Sequence, residues 1–355
     1  MNKLSTLLVI IIALMTALAL VSCSEKAATT SPQEETQVES WTKPRTPDWH
    51  KNANIYEVNL RQYTAEGTFK AFESHIPRLK EMGVDILWFM PVNPVSKVKR
   101  KGELGSPYSI GDYYDVNPRF GTMDDFKHML KAIHDAGMRL IIDWVPNHTG
   151  WDNPWITEHP EWYTKDSLGN ITDPIDYNTG KSWGWTDVAD LNYDNKEMRL
   201  GMIEAMSFWI KEVGIDGFRV DVAHGVPADF WTEASDALYA IRPVFMLAEA
   251  EVPEFLNIHA FQMDYGWEMH HTLNDIAKSQ RANRGSTAKL VKGNLVSEDG
   301  KEIHIKTALD IDRVLAKYDS MYQSGYKMHF TSNHDENSWS GTEMARMGDS
   351  HKTFA

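Results

Sequence analysis

Three acidic side chains follow apolar segments that are typical of β-strands. Asp221 lies in GFRVDVAH (217–224), Glu249 ends VFMLAEA (244–250), and Asp335 follows KMHFTS (327–332). If these strands are parallel members of one barrel, their carboxyl ends meet at the same mouth and the three carboxylates converge there. Glycoside hydrolysis requires a pair of carboxyl groups, one ionised and one protonated. The pattern therefore predicts chemistry on a glycosidic bond.

The segment GFRVDVAH places an arginine beside one of these carboxylates. Side chains two apart on a strand point the same way, so Arg219 and Asp221 are expected to share the inward face. The opposite, buried face is predicted to carry Phe218, Val220 and Val222. A cation beside Asp221 should lower its pKa and keep it ionised. Glu249 has no neighbouring cation in the sequence and is expected to hold its proton. Each residue alone is compatible with a structural salt bridge, but their joint occurrence at strand ends favours an active site.

Apolar strand segments alternate with amphipathic helices from about Trp49 onward. The predicted strands are 54–60, 84–92, 138–145, 217–223, 244–250, 260–264 and 327–332. A helix is predicted to begin at Thr122, with Asp125 completing a capping box, and helices are predicted to end at Gly83, Gly137 and Gly214. Such alternation predicts parallel strands with right-handed crossovers. Seven strands favour a (β/α)8 TIM barrel over a doubly wound sheet.

The barrel is predicted from residues 49–148 and 195–355. The segment 149–194 is too long for an ordinary loop and is predicted to be an inserted B domain. Most of its tryptophans are expected to form a small core rather than to bind sugar; they are Trp151, Trp155, Trp162, Trp183 and Trp185. An eighth strand and a C-terminal β domain are missing up to Ala355, so the sequence is interpreted as a fragment.

The first residues resemble a bacterial export signal. Residues 1–22 have a short basic start and an uncharged apolar run, which predict a signal peptide. They precede Cys23, the single cysteine. Its context resembles a lipobox, so Cys23 is predicted to be lipidated and to anchor the protein to the cell envelope, at the periplasmic side or the cell surface. The alternative is a signal anchor with an incidental cysteine. Residues 23–48 are predicted to be a flexible linker.

The formal net charge of −14 argues against a nucleic-acid partner and suits a neutral substrate.

Four ordered segments resemble the motifs of the alpha-amylase family of retaining glycoside hydrolases. They are DWVPNH (143–148), GFRVDVAH (217–224), LAEAE (247–251) and FTSNHD (330–335); SPYSIGDYYDVNPRFGT (106–122) and VADLN (188–192) resemble two accessory motifs. The resemblance implies hydrolysis of α-1,4-glucosidic bonds in starch-like α-glucans or malto-oligosaccharides. It implies that Asp221 is the nucleophile, Glu249 the general acid/base, and Asp335 the acid that distorts and holds the sugar.

Further roles are implied by the same resemblance. Arg219, His148 and His334 are expected to contact the reacting sugar or the nucleophile. Tyr108 is expected to stack on that sugar, and Asp143 to brace the site. Glu251 competes with Glu249, because it shares the same strand parity; Glu249 is preferred because it directly follows the apolar run.

A structural calcium ion is also implied. Its predicted ligands are Asn147, Asp190 and the backbone carbonyl of His224, since calcium takes carboxylate, amide and backbone oxygens. The alternative is that Asn147 and Asp190 simply cap and brace their loop.

Two positions depart from the family pattern. Ala223 stands where many members have lysine, and Ala248 stands where glycine is common. Three other functions stay open: an α-1,6- or cyclodextrin-cleaving hydrolase of the neopullulanase type, a transglycosylase, or a non-catalytic sugar-binding lipoprotein.

Overall fold

The computed structural model describes residues 47–176, 179–283, 289–291, 294–296, 302–303 and 305–354. They lie in the compact unit Arg45–Ala355. The predicted signal peptide, Cys23 and almost all of the predicted linker lie outside the described residues, so these predictions stay untested. Within the described ranges, no helix is both long and apolar enough to cross a membrane.

The fold is built around a parallel β-sheet. In the part of the chain that the structure describes, this sheet has seven strands, ordered in space as they are in the sequence. The strands are β1 (Ile55–Val58), β2 (Ile86–Phe89), β3 (Arg139–Trp144), β4 (Gly217–Val220), β5 (Phe245–Ala248), β6 (Met263–Tyr265) and β7 (Tyr326–Met328). All six neighbouring pairs are parallel. The predicted fold class, an incomplete (β/α)8 barrel, is confirmed.

Helices follow the strands and cover the outer face of the sheet. The α-helices are Leu60–Tyr63, Phe69–Glu73, Ile76–Glu81, Met123–Asp135, Trp155–Glu158, Lys196–Phe208, Ala228–Ile241, Pro253–Asn257, Trp267–Asn283, Ala308–Met321, His334–Trp339, Glu343–Met347 and His351–Phe354. Short 3-10 helices are Asp48–His50, Pro160–Trp162, Ala223–Gly225 and Gly348–Ser350, and a π-helical turn spans Trp209–Val213. Three further short strands are Lys289–Val291, Asn294–Val296 and Glu302–Ile303.

Local sequence signals explain several helix ends. The Asp125 N–H donates to the Thr122 hydroxyl over 3.2 Å and the Thr122 N–H donates to the Asp125 carboxylate over 2.9 Å, so the predicted capping box is confirmed. Gly83, Gly137 and Gly214 have φ of 90°, 73° and 96°, a left-handed conformation that glycine adopts without strain.

The helix that is predicted to end at Gly83 is in fact two helices. The stripe from Phe69 to Leu79 divides into Phe69–Glu73 and Ile76–Glu81. Pro77 lies in the first turn of the second helix. Proline has no N–H to bond to a preceding turn, so it favours a new helix start at this point.

The two faces of the sheet bury different residues. The interior cluster is formed by Ile86, Trp88, Ile141, Phe245, Leu247, Met263 and Tyr265. Phe218 and Val220 belong instead to the larger core outside the sheet, as predicted. The prediction for Val222 is wrong: β4 ends at Val220, and Val222 is half-buried with a left-handed backbone of φ 44° and ψ 45°. The strand ends early because the chain turns there into the 3-10 helix Ala223–Gly225.

The segment 149–194 lies between β3 and the helix Lys196–Phe208. It contributes to two short antiparallel pairs, His148–Gly150 with Val188–Asp190 and Ile175–Asp176 with Lys181–Ser182. Trp155 and Trp162 are buried, whereas Trp151, Trp183 and Trp185 are half-buried. The prediction of a separate B domain with these boundaries stays a prediction.

Candidate active site

Neighbouring strands bring the polar residues of the candidate site together. Asp143 in β3 lies directly opposite Arg219 in β4. The hydrogen-bond ladder of the sheet continues one residue beyond the ends of β4 and β5. The Asp221 N–H donates to the Trp144 carbonyl over 2.8 Å, and the Glu249 N–H donates to the Val220 carbonyl over 2.9 Å. The carboxyl ends of β3, β4 and β5 therefore place Asp143, Asp221 and Glu249 around Arg219.

Arg219 is fully buried and contacts three carboxyl groups. Its Nη1 donates to Asp143 Oδ1 over 2.7 Å and to Asp221 Oδ1 over 2.8 Å, and its Nη2 lies 2.9 Å from Glu249 Oε1. The Nε donates to the hydroxyl of Tyr265 over 3.1 Å. The expectation that Glu249 lacks a cation is wrong, because β5 is the neighbour of β4 in the sheet although Arg219 is distant in the sequence.

Burial dominates the ionisation of this cluster. Burial raises the pKa of Asp221 well above its usual value and nearby Glu249 adds to the rise, while Arg219 lowers this pKa. The predicted net lowering at Asp221 is therefore wrong, since desolvation outweighs the guanidinium. Burial also raises the pKa of Asp143, to about 6. Asp143 and Asp221, which share Arg219, thus tend to keep a proton between them.

Tyr108, His334 and Asp335 lie at the same mouth. The Tyr108 hydroxyl donates to Asp143 Oδ2 over 3.0 Å and lies 2.8 Å from His334 Nε2. The Tyr108 and His334 rings are stacked, with centroids 5.5 Å apart. Asp335 Oδ1 lies 3.5 Å from the same His334 nitrogen, and its side chain is 40% exposed. Burial raises the pKa of Asp335, and His334 lowers it.

His148 is buried beside this group. Its Nδ1 lies 3.3 Å from the amide nitrogen of Asn147, and its ring packs edge-on against Trp185, with centroids 5.7 Å apart. Burial lowers the pKa of His148 to about 4. His148 is therefore neutral near pH 7 and suited to hydrogen bonding rather than to charge pairing.

Glu251 belongs to a different set of contacts. It accepts a hydrogen bond from the Tyr318 hydroxyl over 2.6 Å and lies 3.8 Å from Lys327 Nζ. Glu249, by contrast, lies against Arg219, and its Oε2 accepts from the Val222 N–H over 2.7 Å. Glu249 therefore belongs to the cluster around Arg219 that contains Asp221, whereas the contacts of Glu251 lie elsewhere.

The sequence motifs did not reveal three residues that support the site. The Trp88 indole donates to Asp143 Oδ2 over 3.2 Å, and its ring centroid is 5.0 Å from the Arg219 guanidinium carbon. Tyr265 holds Arg219 Nε, and Glu57 contacts His334. The available signal was strand parity: Glu57, Trp88 and Tyr265 are each two residues after an apolar residue that faces the barrel interior.

The predicted calcium ligands Asp190 and His224 each lie next to a residue that is close to Asn147. The Asn147 carbonyl accepts from the Leu191 N–H over 3.2 Å, next to Asp190. The Asn147 side-chain oxygen lies against the turn that contains His224, since a Cβ on Gly225 would be 2.7 Å from it. Asp190 is 1% exposed and neither carboxylate oxygen makes a well-formed hydrogen bond to the described residues.

The environment of Asp190 suits a cation. Burial raises its pKa to about 7, and the Thr164 hydroxyl offsets a part of that rise. Among the described residues, no group of three or more His, Cys, Asp or Glu side chains is arranged so that it could hold a metal ion. The predicted set instead mixes carboxylate, amide and backbone oxygens, which are the ligands that calcium takes.

Comparisons with known proteins agree on one family. A family model for the alpha amylase catalytic domain matches residues 34–352. The chain is 30% identical over 236 residues to Alpha-amylase 3 of Dictyoglomus thermophilum, covering 57% of this chain and 44% of that protein. It is 30% identical over 203 residues to an oligo-1,6-glucosidase of Parageobacillus thermoglucosidasius, covering 49% of this chain and 35% of that protein.

A solved structure extends the comparison to the fold. The crystal structure of an alpha-amylase from Lactobacillus plantarum matches with a TM-score of 0.65 at 33% identity, covering 81% of this chain and 64% of that chain. The chain thus spans less than two thirds of the length of each of these three proteins.

Proposed function

The chain belongs to the alpha-amylase family of glycoside hydrolases, and we propose that it hydrolyses α-1,4-glucosidic bonds in starch-like α-glucans or malto-oligosaccharides with retention of configuration. The observation that carries this proposal is the position of Asp221 and Glu249, which follow neighbouring strands and contact the same guanidinium at 2.8 and 2.9 Å. Two carboxyl groups held beside each other at a barrel mouth are the machinery of retaining glycoside hydrolysis.

In the first step, the Asp221 carboxylate attacks the anomeric carbon of the bound sugar. The bond from that carbon to the glycosidic oxygen breaks, and Glu249 donates its proton to the leaving oxygen. Arg219 holds both side chains during this exchange, so the nucleophile and the acid keep their relative positions while charge moves between them.

In the second step, Glu249 accepts a proton from water, and the water oxygen attacks the anomeric carbon. The bond to Asp221 breaks, which returns both carboxyl groups to their starting states. Tyr108 stacks on the reacting sugar, and Asp335, His334 and His148 hydrogen-bond its hydroxyl groups.

A product assay tests this proposal directly. The protein is incubated with soluble starch and with maltoheptaose, and the anomer that forms first is identified by proton NMR. Initial release of the α-anomer is expected, and Asp221→Asn serves as the inactive control. Initial release of the β-anomer would contradict retention, and no product from any α-glucan would overturn the hydrolase proposal.

A second candidate is cleavage of α-1,6 bonds. It is favoured by the 30% identity to the oligo-1,6-glucosidase of Parageobacillus thermoglucosidasius. Isomaltose, pullulan and cyclodextrins in the same assay distinguish this activity, and glucan products longer than the substrate would reveal transglycosylation. A protein that binds maltoheptaose in calorimetry but yields no product would be the sugar-binding alternative.

We also propose that calcium binds at Asn147, Asp190 and the His224 carbonyl. The buried, poorly paired carboxylate of Asp190 supports a cation at this position. The ion would supply charge compensation and hold the turn after β4 to the segment around residue 190. Chelation should lower the melting temperature of the protein and should have little further effect on Asp190→Asn. Equal responses of the two proteins to chelator would contradict the site.

We propose in addition that Cys23 is lipidated and anchors the protein to the cell envelope. The basic start, the apolar run and the following cysteine support this assignment. Labelled palmitate should be incorporated by cells that express the full chain and should not be incorporated into Cys23→Ser. Equal labelling of the two proteins would contradict lipidation at this residue.

A further inference from the structure

A glutamate on the first strand of the barrel faces the active site. Glu57 lies in β1 opposite Trp88 of β2, whose side chain belongs to the interior cluster. Alternation along a strand puts Glu57 on the same inward face as Ile55. Its side chain is 20% exposed. An acidic group at this position needs a partner, because a partly buried carboxylate is costly to leave unpaired.

The partner of Glu57 is His334, which it holds at two points. One carboxylate oxygen accepts from the His334 ring Nδ1 over 2.6 Å, and the other accepts from the His334 backbone N–H over 3.1 Å. Two contacts to one residue fix both the position of the backbone and the orientation of the ring. His334 begins the helix that carries Asp335, so Glu57 also joins β1 to the segment after β7.

The hydrogen bonds around His334 indicate which ring nitrogens carry hydrogen. Asp143 Oδ2 accepts from the Tyr108 hydroxyl, which uses the single hydrogen of that hydroxyl. The Tyr108 oxygen must then accept from His334 Nε2, 2.8 Å away. Because Glu57 is an acceptor at Nδ1, both ring nitrogens act as donors. An imidazole with two N–H groups is the charged imidazolium.

We propose that Glu57 is a positioning residue, which keeps His334 as an imidazolium and directs its Nε2–H toward the barrel mouth, where Tyr108 and Asp335 lie. This inference rests on the proposed function and deepens it. A charged donor forms a stronger hydrogen bond than a neutral one does. The positive charge at His334 also balances part of the negative charge of the neighbouring carboxyl groups.

The electrostatic surroundings of His334 agree with this role. Burial opposes the charge of the ring, but Glu57 outweighs it, so the pKa of His334 is raised above its usual value. The titratable or charged groups that face the ring come from β1, the loop after β2, β3, β4 and its own helix; they are Glu57, Tyr108, Asp143, Arg219 and Asp335. Arg219 lowers this pKa and Asp335 raises it.

The matched pair of variants is Glu57→Gln and Glu57→Asp. Glutamine keeps the shape of the side chain and an acceptor oxygen but removes the charge, whereas aspartate keeps the charge. In Glu57→Gln, the alkaline limb of kcat against pH should move to lower pH by about one unit, because an opposite charge in contact shifts a pKa by at least that much. At pH values above the alkaline limbs of both proteins, kcat of Glu57→Gln should then be about tenfold below that of the wild type. Glu57→Asp should recover part of this loss.

The control is a histidine–glutamate pair remote from the mouth. His128 Nδ1 lies 2.9 Å from Glu73 Oε1, and the His128 side chain is 74% exposed. Glu73→Gln removes the same kind of charge without touching the site and should leave the pH profile unchanged. Glu57→Gln with a wild-type pH profile and wild-type kcat would overturn the proposal.

A measurement independent of turnover separates this inference from the proposed function. The His334 ring is titrated by NMR of protein labelled at histidine, with its signals assigned by their loss in His334→Asn. If the wild type cleaves no α-glucan, the proposed function fails. The inference about Glu57 then stands if His334 loses its proton at a lower pH in Glu57→Gln than in the wild type. Identical titration of the two proteins would overturn it.

Discussion

Replacing Arg219 by lysine is the sharpest test of the site, because it keeps the charge and removes the planar fork. The guanidinium reaches four partners at 2.7, 2.8, 2.9 and 3.1 Å, which are Asp143, Asp221, Glu249 and Tyr265. A lysine ammonium is a single point of charge and cannot bridge side chains that come from four strands.

The expected magnitude follows from the hydrogen bonds that lysine cannot replace. Three of these contacts are hydrogen bonds, and the fourth, to Glu249, is an ion pair. An ammonium at this position can reach at most two of the four partners, so at least one hydrogen bond to a charged group disappears. Such a hydrogen bond is worth about 1.5–3 kcal/mol, so the total loss should be at least about 1.5 kcal/mol. This free energy should divide between folding and catalysis, because the same hydrogen bonds hold the folded barrel and align the reacting carboxyl groups.

The pH dependence of kcat/KM provides a second expectation, which has a defined direction. Arg219 lowers the pKa of Asp221 against the effect of burial. A more distant cation in Arg219→Lys lowers this pKa less, so Asp221 becomes ionised only at a higher pH. The acid limb of kcat/KM should therefore move toward alkaline pH, as measured on maltoheptaose over the pH range in which the protein stays folded.

A matched control is available on a helix outside the sheet. Arg199 contacts Asp229 at 2.7 Å and Glu233 at 3.4 Å, and both partners are largely exposed. Exposed ion pairs contribute little, so Arg199→Lys should change the free energy of unfolding by less than about 1 kcal/mol. Urea unfolding and kcat/KM are compared for both variants. If Arg219→Lys behaves like Arg199→Lys in both measurements, the central role of the guanidinium is refuted.

Three further predictions concern single carboxyl groups. Asp221→Asn should leave the protein folded and reduce kcat by at least a thousandfold, with a melting temperature at or above that of the wild type; retained turnover would exclude Asp221 as the nucleophile. Glu249→Gln should abolish turnover, whereas Glu251→Gln should keep it near normal, and the reverse result would exchange their roles. For Asp143, burial raises the pKa from 3.8 to about 6, so the folded state binds this proton more tightly than the unfolded state does. The stability that the proton provides is lost as the pH rises from about 4 to about 6, which costs the wild type roughly 3 kcal/mol. Asp143→Asn escapes this loss, so its free energy of unfolding relative to the wild type should be higher at pH 8 than at pH 4; a constant difference in urea unfolding would contradict this.

The sequence predicts the fold well because its signals are local and repeated. A helix that ends at glycine and is followed by an apolar strand occurs three times, and the glycines take the left-handed conformation that this pattern requires. Each unit of helix, glycine and strand can be recognised from its own residues, so a parallel sheet is predicted without knowledge of long-range contacts. The division at Pro77 was missed because the apolar stripe continues across the break, and periodicity reports which face is buried rather than whether the helix is continuous.

The site is predicted less completely because it depends on contacts between strands. Asp221, Glu249 and Asp335 were located from strand ends, and the structure brings them to one mouth. The partnership of Arg219 with Glu249 was missed, because neighbours in a sheet are set by topology and not by sequence distance. Glu57 was missed for a related reason: its partner His334 is 277 residues away, and strand parity reveals which way a side chain points but not what it meets.

Glycoside hydrolysis requires one protonated carboxyl group, and the negative charge of the cluster as a whole explains why a proton is retained there. Within the described part of the barrel mouth, Asp143, Asp221 and Glu249 all contact Arg219, and full ionisation would leave an excess of negative charge in a buried volume. Like charges at such distances cannot all ionise, so a proton stays in the cluster. The orientation of Glu249 then distinguishes the role of general acid from that of nucleophile. The second oxygen of Glu249 is held by the N–H of Val222, a β-branched residue in a left-handed conformation that is energetically unfavourable. That backbone strain is maintained at the residue whose N–H orients the acid beside the nucleophile.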